Sequence, residues 1–204
     1  MVTLVTDPDL SASLIQDRQA QGVDHHDEVW EGVYVMAPIA NDEHQQLVTR
    51  LATVLTETID FAGLGEVRAG INLANKSDDW KHDFRVPDGV VFLKNSTAEC
   101  HGAYWSGGPD LAIEIVSPGD QTREKIPFYE KVGTRELLIV DRDPWQLELY
   151  RLVEKKLTLV GVSSLPESAW LASESVPLRL QLIPGEKRPQ IQLQHATDEK
   201  TWCL

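Results

Sequence analysis

The 204-residue sequence predicts an α/β protein (α+β by some schemes): a central mixed β-sheet flanked by helices, with an N-terminal hairpin and extra C-terminal strands. Three observations lead there. The apolar run LAIEIV at 111–116, a helical segment at 125–131 stopped by Gly133, and the apolar run at 136–141 follow one another as in a right-handed βαβ crossover. The runs at 147–152 and 156–162 alternate in hydrophobicity, as in an antiparallel meander added at one edge. Leu47, Val48, Leu51, Val54, Leu55 and Ile59 recur at helical spacing, which supplies a long helix to cover the sheet.

Each element has local reasons. Residues 1–24 are polar and weakly patterned, and read as a short leading helix or an arm. VWEGVYVM at 29–36 gives two β-type runs around Glu31 and Gly32, a tight hairpin before Pro38. Asn41 is a good N-cap for the first long helix, Asp42 and Glu43 suit its positive end, and Gly63 and Gly65 stop it. Residues 65–76 alternate like a strand, 77–83 form a polar turn, and 84–93 read as a second strand. The small and polar residues of 95–108 read as a surface loop, 110–117 as the strand containing LAIEIV, and 117–122 as a turn. The last forty residues read as loops and short strands, notably 178–182 and 191–193. The length suits one core, so residues 25–204 are expected to form a single domain with its core at 29–152 and a β extension at 153–204.

Composition excludes several functions. Hydrophobic residues at 42% and charged residues at 25% are globular values, so a disordered tail is ruled out. No run approaches the length of a membrane span, and Asp7 and Asp9 stand where a signal peptide would be basic and then apolar, so the expectation is a cytoplasmic protein with no membrane partner. Cys100 and Cys203 are far apart, which suggests neither a disulfide framework nor a cysteine zinc site. The net charge of -13 disfavours tight non-specific binding to nucleic acid, but residues 1–60 carry eleven acidic groups against Arg18 and Arg50, so the rest of the chain is far less acidic. No Walker loop, G-x-S-x-G elbow or Rossmann glycine pattern is present.

Two carboxylates carry the chemistry. Glu114 sits in the middle of LAIEIV, where an unpaired charge would cost several kcal/mol unless a cation, a proton or a metal meets it. In FRVPDGVVFL, Val86, Asp88, Val90 and Phe92 share one face and Asp88 is its polar member. Pro87 cannot donate to a ladder and Gly89 weakens the strand, so the strand should bend or lie at an edge beside an opening. Two hard oxygen ligands without a His and Cys cluster suit magnesium or manganese better than zinc. Turn capping, or pairing with a buried Arg such as Arg85 or Arg123, would explain the same carboxylates.

Pro87 and Asp88 on one strand, Glu114, Ile115 and Val116 on the next, then Ser117 and Pro118, with Lys125 and Tyr129 following, resemble the Uma-two endonuclease family of the PD-(D/E)XK, restriction-endonuclease-like superfamily. The resemblance runs from about residue 29 to 152 and includes WEGVYVMAP, DEHQ, RVPDGVVF, GGPDLAIEIVSP and KVGTRELLIVDRD. It implies a restriction endonuclease-like fold and a magnesium-dependent endonuclease, with manganese able to substitute. Nucleic acid, DNA in the first instance, would be the partner, and superfamily nucleases often work as homodimers. It further implies that Asp88 and Glu114 bind the metal with the Ile115 carbonyl as third ligand. The superfamily lysine would fall at Val116; the resemblance moves it to Lys125, four residues before Tyr129, on the entry turn ahead of Pro127. Glu43 would be a fourth catalytic member, and His44 resembles a histidine of the family, although a helix-dipole role and a structural hydrogen bond explain them as well. The alternatives are a non-catalytic nuclease-fold binding or assembly module, and a two-carboxylate glycoside hydrolase with Trp80 and Trp105 lining its cleft. His25, His26, Asp27 and Glu28 read as surface polarity, since neighbours in an extended segment point apart. Asp78, Asp79, His82 and Asp83 read as a solvated loop bordering the Asp88 cleft.

Overall fold

The computed structural model describes residues 3–37, 40–75, 78–117, 119 and 121–204; Pro38, Lys76, Ser77, Pro118 and Asp120, which figure in the expected turns, strand end and motif, lie outside these. Three sheets and three α-helices are found among the described residues. None of these helices is long and apolar enough to cross a membrane.

The expected hairpin forms: Glu28–Trp30 pairs antiparallel with Val33–Met36 around Glu31 and Gly32, whose φ values of 49° and 90° are those of a tight two-residue hairpin turn. A side chain at Gly32 would be strained twice, by its φ and by a Cβ 2.7 Å from the His82 ring. The first 24 residues hold a strand as well as a helix. Thr3–Val5 pairs with Val33–Met36, and α1 (Pro8–Gln21) starts at an Asp7 cap and ends at Gly22 in the left-handed region. Arg18 of α1 grips Asp27 with Nε to Oδ2 at 2.5 Å and Nη2 to Oδ1 at 2.8 Å, which fastens the helix to the hairpin.

α2 (Asp42–Leu55) begins where Asn41 Oδ1 accepts the His44 N–H at 2.9 Å, and continues through one π turn, Thr56–Asp60. Two segments expected as continuous strands change sheets instead. Residues 65–76 break into Gly65–Arg68 and Leu73–Ala74, with Gly70 at a φ of 61° between them. Residues 84–93 break into Phe84–Arg85 and Gly89–Leu93 at the segment containing Pro87, which has no N–H for a ladder. The expected loop at 95–108 contains the two-residue strands Glu99–Cys100 and Trp105–Ser106. Thr3–Val5, the two hairpin strands, Phe84–Arg85, Leu73–Ala74, Trp105–Ser106 and Glu99–Cys100 form a seven-stranded outer sheet.

The central sheet runs in the spatial order Lys156–Ser164, Trp145–Val153, Glu136–Arg142, Leu111–Ile115, Gly89–Leu93, Gly65–Arg68. Only Leu111–Ile115 and Glu136–Arg142 are parallel, and the connection between them is a 3₁₀ turn, Thr122–Lys125, leading into α3 (Ile126–Val132), with Gly133 as the left-handed stop. The βαβ unit and the edge meander are as the sequence predicts. On one face, Leu47, Leu51 and Leu55 of α2 pack with Ile113, Ile115 and Val91, together with Leu178, Leu180, Ile191 and Leu193 of a C-terminal sheet spanning 171–203. On the other, Phe128 and Tyr129 of α3 pack with Val90, Phe92, Ala112, Leu137 and Ile139.

Candidate functional site

Alternation along the central strands decides where the carboxylates point. Ala112 and Ile139 belong to the α3 layer, and Glu114, two residues after Ala112 and directly paired with Ile139, faces the same way. Val90 and Phe92 also belong to that layer, so Asp88 comes from the same face. The antiparallel register Leu111↔Val91, Ala112↔Val90, Ile113↔Gly89 extends one step to bring Asp88 opposite Glu114. There the ladder ends at Pro87, and the Asp88 side chain takes over: its Oδ2 accepts the Ile115 N–H at 2.7 Å. Its Oδ1 meets His44 Nε2 at 2.8 Å, so the first turn of α2 holds the other oxygen.

Lys125 arrives from the 3₁₀ turn, with Nζ 3.1 Å from both oxygens of Glu114 and 2.9 Å from Glu28 Oε1. The Tyr129 hydroxyl, one helical turn on, donates to Glu114 Oε1. Glu28 belongs to the hairpin. Its Oε1 also accepts the Val86 N–H at 2.9 Å, and its Oε2 accepts from Trp30 Nε1 at 2.6 Å. Glu28, Glu114 and Lys125 are buried, Asp88 is half-buried, and all four line one cavity with His44 and Trp30. Burial, with Asp88 and Glu28 close by, pushes the Glu114 carboxyl up to about 8 against the pull of Lys125 and the Tyr129 hydroxyl. The Tyr129 hydroxyl is itself pushed well up, by burial first and by Glu114 second.

The structure brings together Asp88, Glu114, Ile115 and Lys125, and adds His44. It takes Glu43 elsewhere: Oε2 pairs with Arg142 Nη1 and Oε1 with Arg188 Nε, both at 3.1 Å, outside the cavity lining. Arg142 in turn donates to Asn41 Oδ1, to the Val116 carbonyl and to Ser117 Oγ, which ties the start of α2 to the end of the central strand. Neither arginine considered for the carboxylates is paired with them. Arg85 is engaged by Asp83 and the rings of Trp30 and Phe128, and Arg123 by Asp141 and Glu148. Among the described residues no group of three or more His, Cys, Asp or Glu side chains is arranged to hold a metal.

The reading of residues 25–28 as surface polarity is wrong for two of them. Asp27 and Glu28 are buried, Asp27 against Arg18 and Tyr34 and Glu28 against Lys125. Neighbours in the extended segment do point apart, but toward two different interiors. The local signal for Glu28 was its place two residues before Trp30, on the same face of a hairpin strand. Trp80 and Trp105, considered as a sugar-binding lining, stack on Tyr104 and Phe92 and do not line the cavity.

A family model for Uma2, described as "Putative restriction endonuclease", matches residues 16–184. The chain belongs to the Uma2 family. Glu28, Asp88, Glu114 and Lys125 all lie within the span of the Uma2 match. Among solved structures, the chain is similar to "a putative nuclease belonging to DUF820" from Anabaena variabilis, at 20% identity with a TM-score of 0.58, covering 73% of this chain and 82% of that one. That likeness makes the fold restriction-endonuclease-like. No curated protein matches the sequence.

Proposed function

We propose that this Uma2 protein is a magnesium-dependent endonuclease hydrolysing phosphodiester bonds of nucleic acid, DNA in the first instance, with manganese able to substitute. The observation that carries the reading is a charge imbalance in one cavity. Three carboxylates, Glu28, Asp88 and Glu114, come from three separate elements and face one ammonium, Lys125, and one imidazole, His44. Burial in the first place, and the neighbouring Asp88 and Glu28 carboxylates after it, push the Glu114 carboxyl up. The donor set is hard oxygen throughout, as magnesium prefers, and two carboxylates completed by water and phosphate oxygens make an ordinary site for it. Membership of a family described as "Putative restriction endonuclease" supports the same class of chemistry.

Asp88 and Glu114 would hold the ion with the Ile115 carbonyl, and Glu114 would do so by yielding Lys125. A bound divalent ion supplies Lewis acidity toward the phosphate and lowers the pKa of an attacking water. The rest falls to the chain. His44 and the Ile115 N–H orient the two oxygens of Asp88. Lys125 directs its N–H donors at charge developing on the phosphate, in a site sheltered from water. Glu43 contributes by orienting Arg142, which donates to the Val116 carbonyl and to Ser117 of the cavity lining. The same reading puts the protein in the cytoplasm, acting as a homodimer where both strands are cut.

Cleavage of duplex, single-stranded and structured DNA by Asp88→Asn and Glu114→Gln, with magnesium, manganese or EDTA, tests the assignment. Each variant is expected to lose activity by at least about 100-fold, and EDTA to abolish it. Activity that survives either substitution, or chelation, refutes it. A second reading, a nuclease-fold module that binds without cutting, is favoured by the closeness of Lys125 to both oxygens of Glu114, which satisfies that carboxylate internally. Metal affinity with no cleavage of any of these substrates would select it.

A further inference from the structure

We infer that Glu28 is a positioning residue of this site, one that sets Lys125 and the Asp88 segment in register with each other. The inference rests on the endonuclease reading above. Lys125 is shared between two carboxylates with different freedom. Glu114 has both oxygens turned to the lysine, with the Tyr129 hydroxyl on one of them. Glu28 is fixed on every side: the Val86 N–H at 2.9 Å and Lys125 Nζ at 2.9 Å share Oε1, and Trp30 Nε1 at 2.6 Å holds Oε2. Val86 lies two residues before Asp88, in the segment where the chain passes from the outer to the central sheet. One buried side chain from the hairpin therefore joins the stretch that delivers Asp88 to the turn that delivers Lys125.

Charge leads to the same assignment. If Asp88 and Glu114 neutralise a divalent ion, the ammonium of Lys125 beside it is left with Glu28 as its counter-charge. Without Glu28, the ion, its two carboxylates and the ammonium would leave one positive charge uncompensated in the cavity, and the lysine, as the movable cation, would be driven from its place. Glu28 is thus the residue that lets lysine and ion occupy the site together.

The test uses the full chain carrying Glu28→Gln, in which the amide keeps the shape but turns a donor toward Trp30 Nε1 or Val86, and Glu28→Asp, which keeps the charge should the first variant fold poorly. Glu28→Gln is expected to lose about 100-fold in kcat with KM little changed, as a misplacement of catalytic groups does; Glu28→Asp recovers part of it. Manganese affinity, read from the free-ion EPR signal, stays within a few-fold of wild type. Independently of turnover, acetic anhydride footprinting by mass spectrometry is expected to label Lys125 several-fold faster in Glu28→Gln than in wild type, and more so with magnesium present. A kcat near wild type, or unchanged labelling of Lys125, overturns the inference. So does a loss of manganese affinity as large as that of Asp88→Asn, which would make Glu28 a ligand. A wild-type chain that neither binds manganese nor cuts sinks the endonuclease reading instead, and the metal-free labelling then decides on Glu28 by itself.

Discussion

Replacing Lys125 with Met removes the ammonium that lies 2.9 Å from Glu28 and 3.1 Å from both oxygens of Glu114, and puts an apolar chain of similar length in its place. The side chains of Lys125, Glu28 and Glu114 are only 10%, 5% and 4% exposed, so water cannot take over the lost pairing. Removing one partner of such a buried pair costs about 3–5 kcal/mol. For a chain of this size each kcal/mol lowers Tm by about 2–4 °C, which places the loss at about 6–20 °C in EDTA. Acidity should reduce it. A carboxyl whose folded pKa is raised, as burial raises that of Glu114, keeps its proton in the folded state while the unfolded chain gives it up, so stability is lost as pH rises from about 4.3 toward the folded value. Loss of Lys125 raises that folded pKa further and steepens the decline. Magnesium, which requires the ionised form, should therefore stabilise Lys125→Met more than wild type, and more at neutral than at mildly acidic pH. Thermal melts by circular dichroism across pH, with magnesium and with EDTA, measure all of this. A variant melting within a few degrees of wild type in EDTA, or the same magnesium gain in both proteins, would refute the reasoning.

Other perturbations follow from particular contacts. Gly108→Ala would build a Cβ 2.2 Å from the Thr134 backbone nitrogen, where the chain approaches the end of α3, and is expected to cost at least about 3 kcal/mol; a urea midpoint close to wild type contradicts it. At Glu148, burial alone would raise the carboxyl, yet the Arg123 guanidinium and the Tyr150 hydroxyl hold it below its usual value. A depressed folded pKa gives stability above the ordinary carboxylate range that disappears as pH falls through the folded value, so Arg123→Ala should flatten the acid limb of the stability profile and cost about 1 kcal/mol at neutral pH, read from melts between neutral and strongly acidic pH. His44→Ala takes the partner from Asp88 Oδ1 and should weaken manganese binding by about 10-fold or more; unchanged affinity in the EPR titration would remove His44 from the site.

Much of the architecture could be read from short windows. The hairpin at Glu31 and Gly32, the Asn41 cap and the buried stripe of α2 each follow from turn chemistry or periodicity within about a dozen residues, and the parallel pair joined across α3 from the order of three such windows over 111–142. So does the need of Glu114 for a partner, because a carboxylate in the middle of an apolar strand is conspicuous. The sheet changes at 69–72 and 86–88 were partly legible: Pro87 marked a bend, but nothing local said that the two halves would join different sheets. The partners of Glu43 and the burial of Glu28 were not legible for a related reason. Both are acidic residues beside other polar ones, and local pattern could not tell that the first would meet Arg142 and Arg188 while the second would be buried against Lys125.

The sequence by itself determined the longer elements, the faces they bury and the two carboxylates that need compensation, since those depend on the periodicity of neighbouring residues and on the cost of charge among apolar side chains. Tertiary structure alone decided the compensation. The contacts of Glu28 span 58 residues to Val86 and 97 to Lys125, that of His44 with Asp88 spans 44, and no local rule of spacing reaches so far. A buried charge announces that it must be met, and the partner is chosen by whichever distant segment the packing of the sheets brings within 3 Å or so.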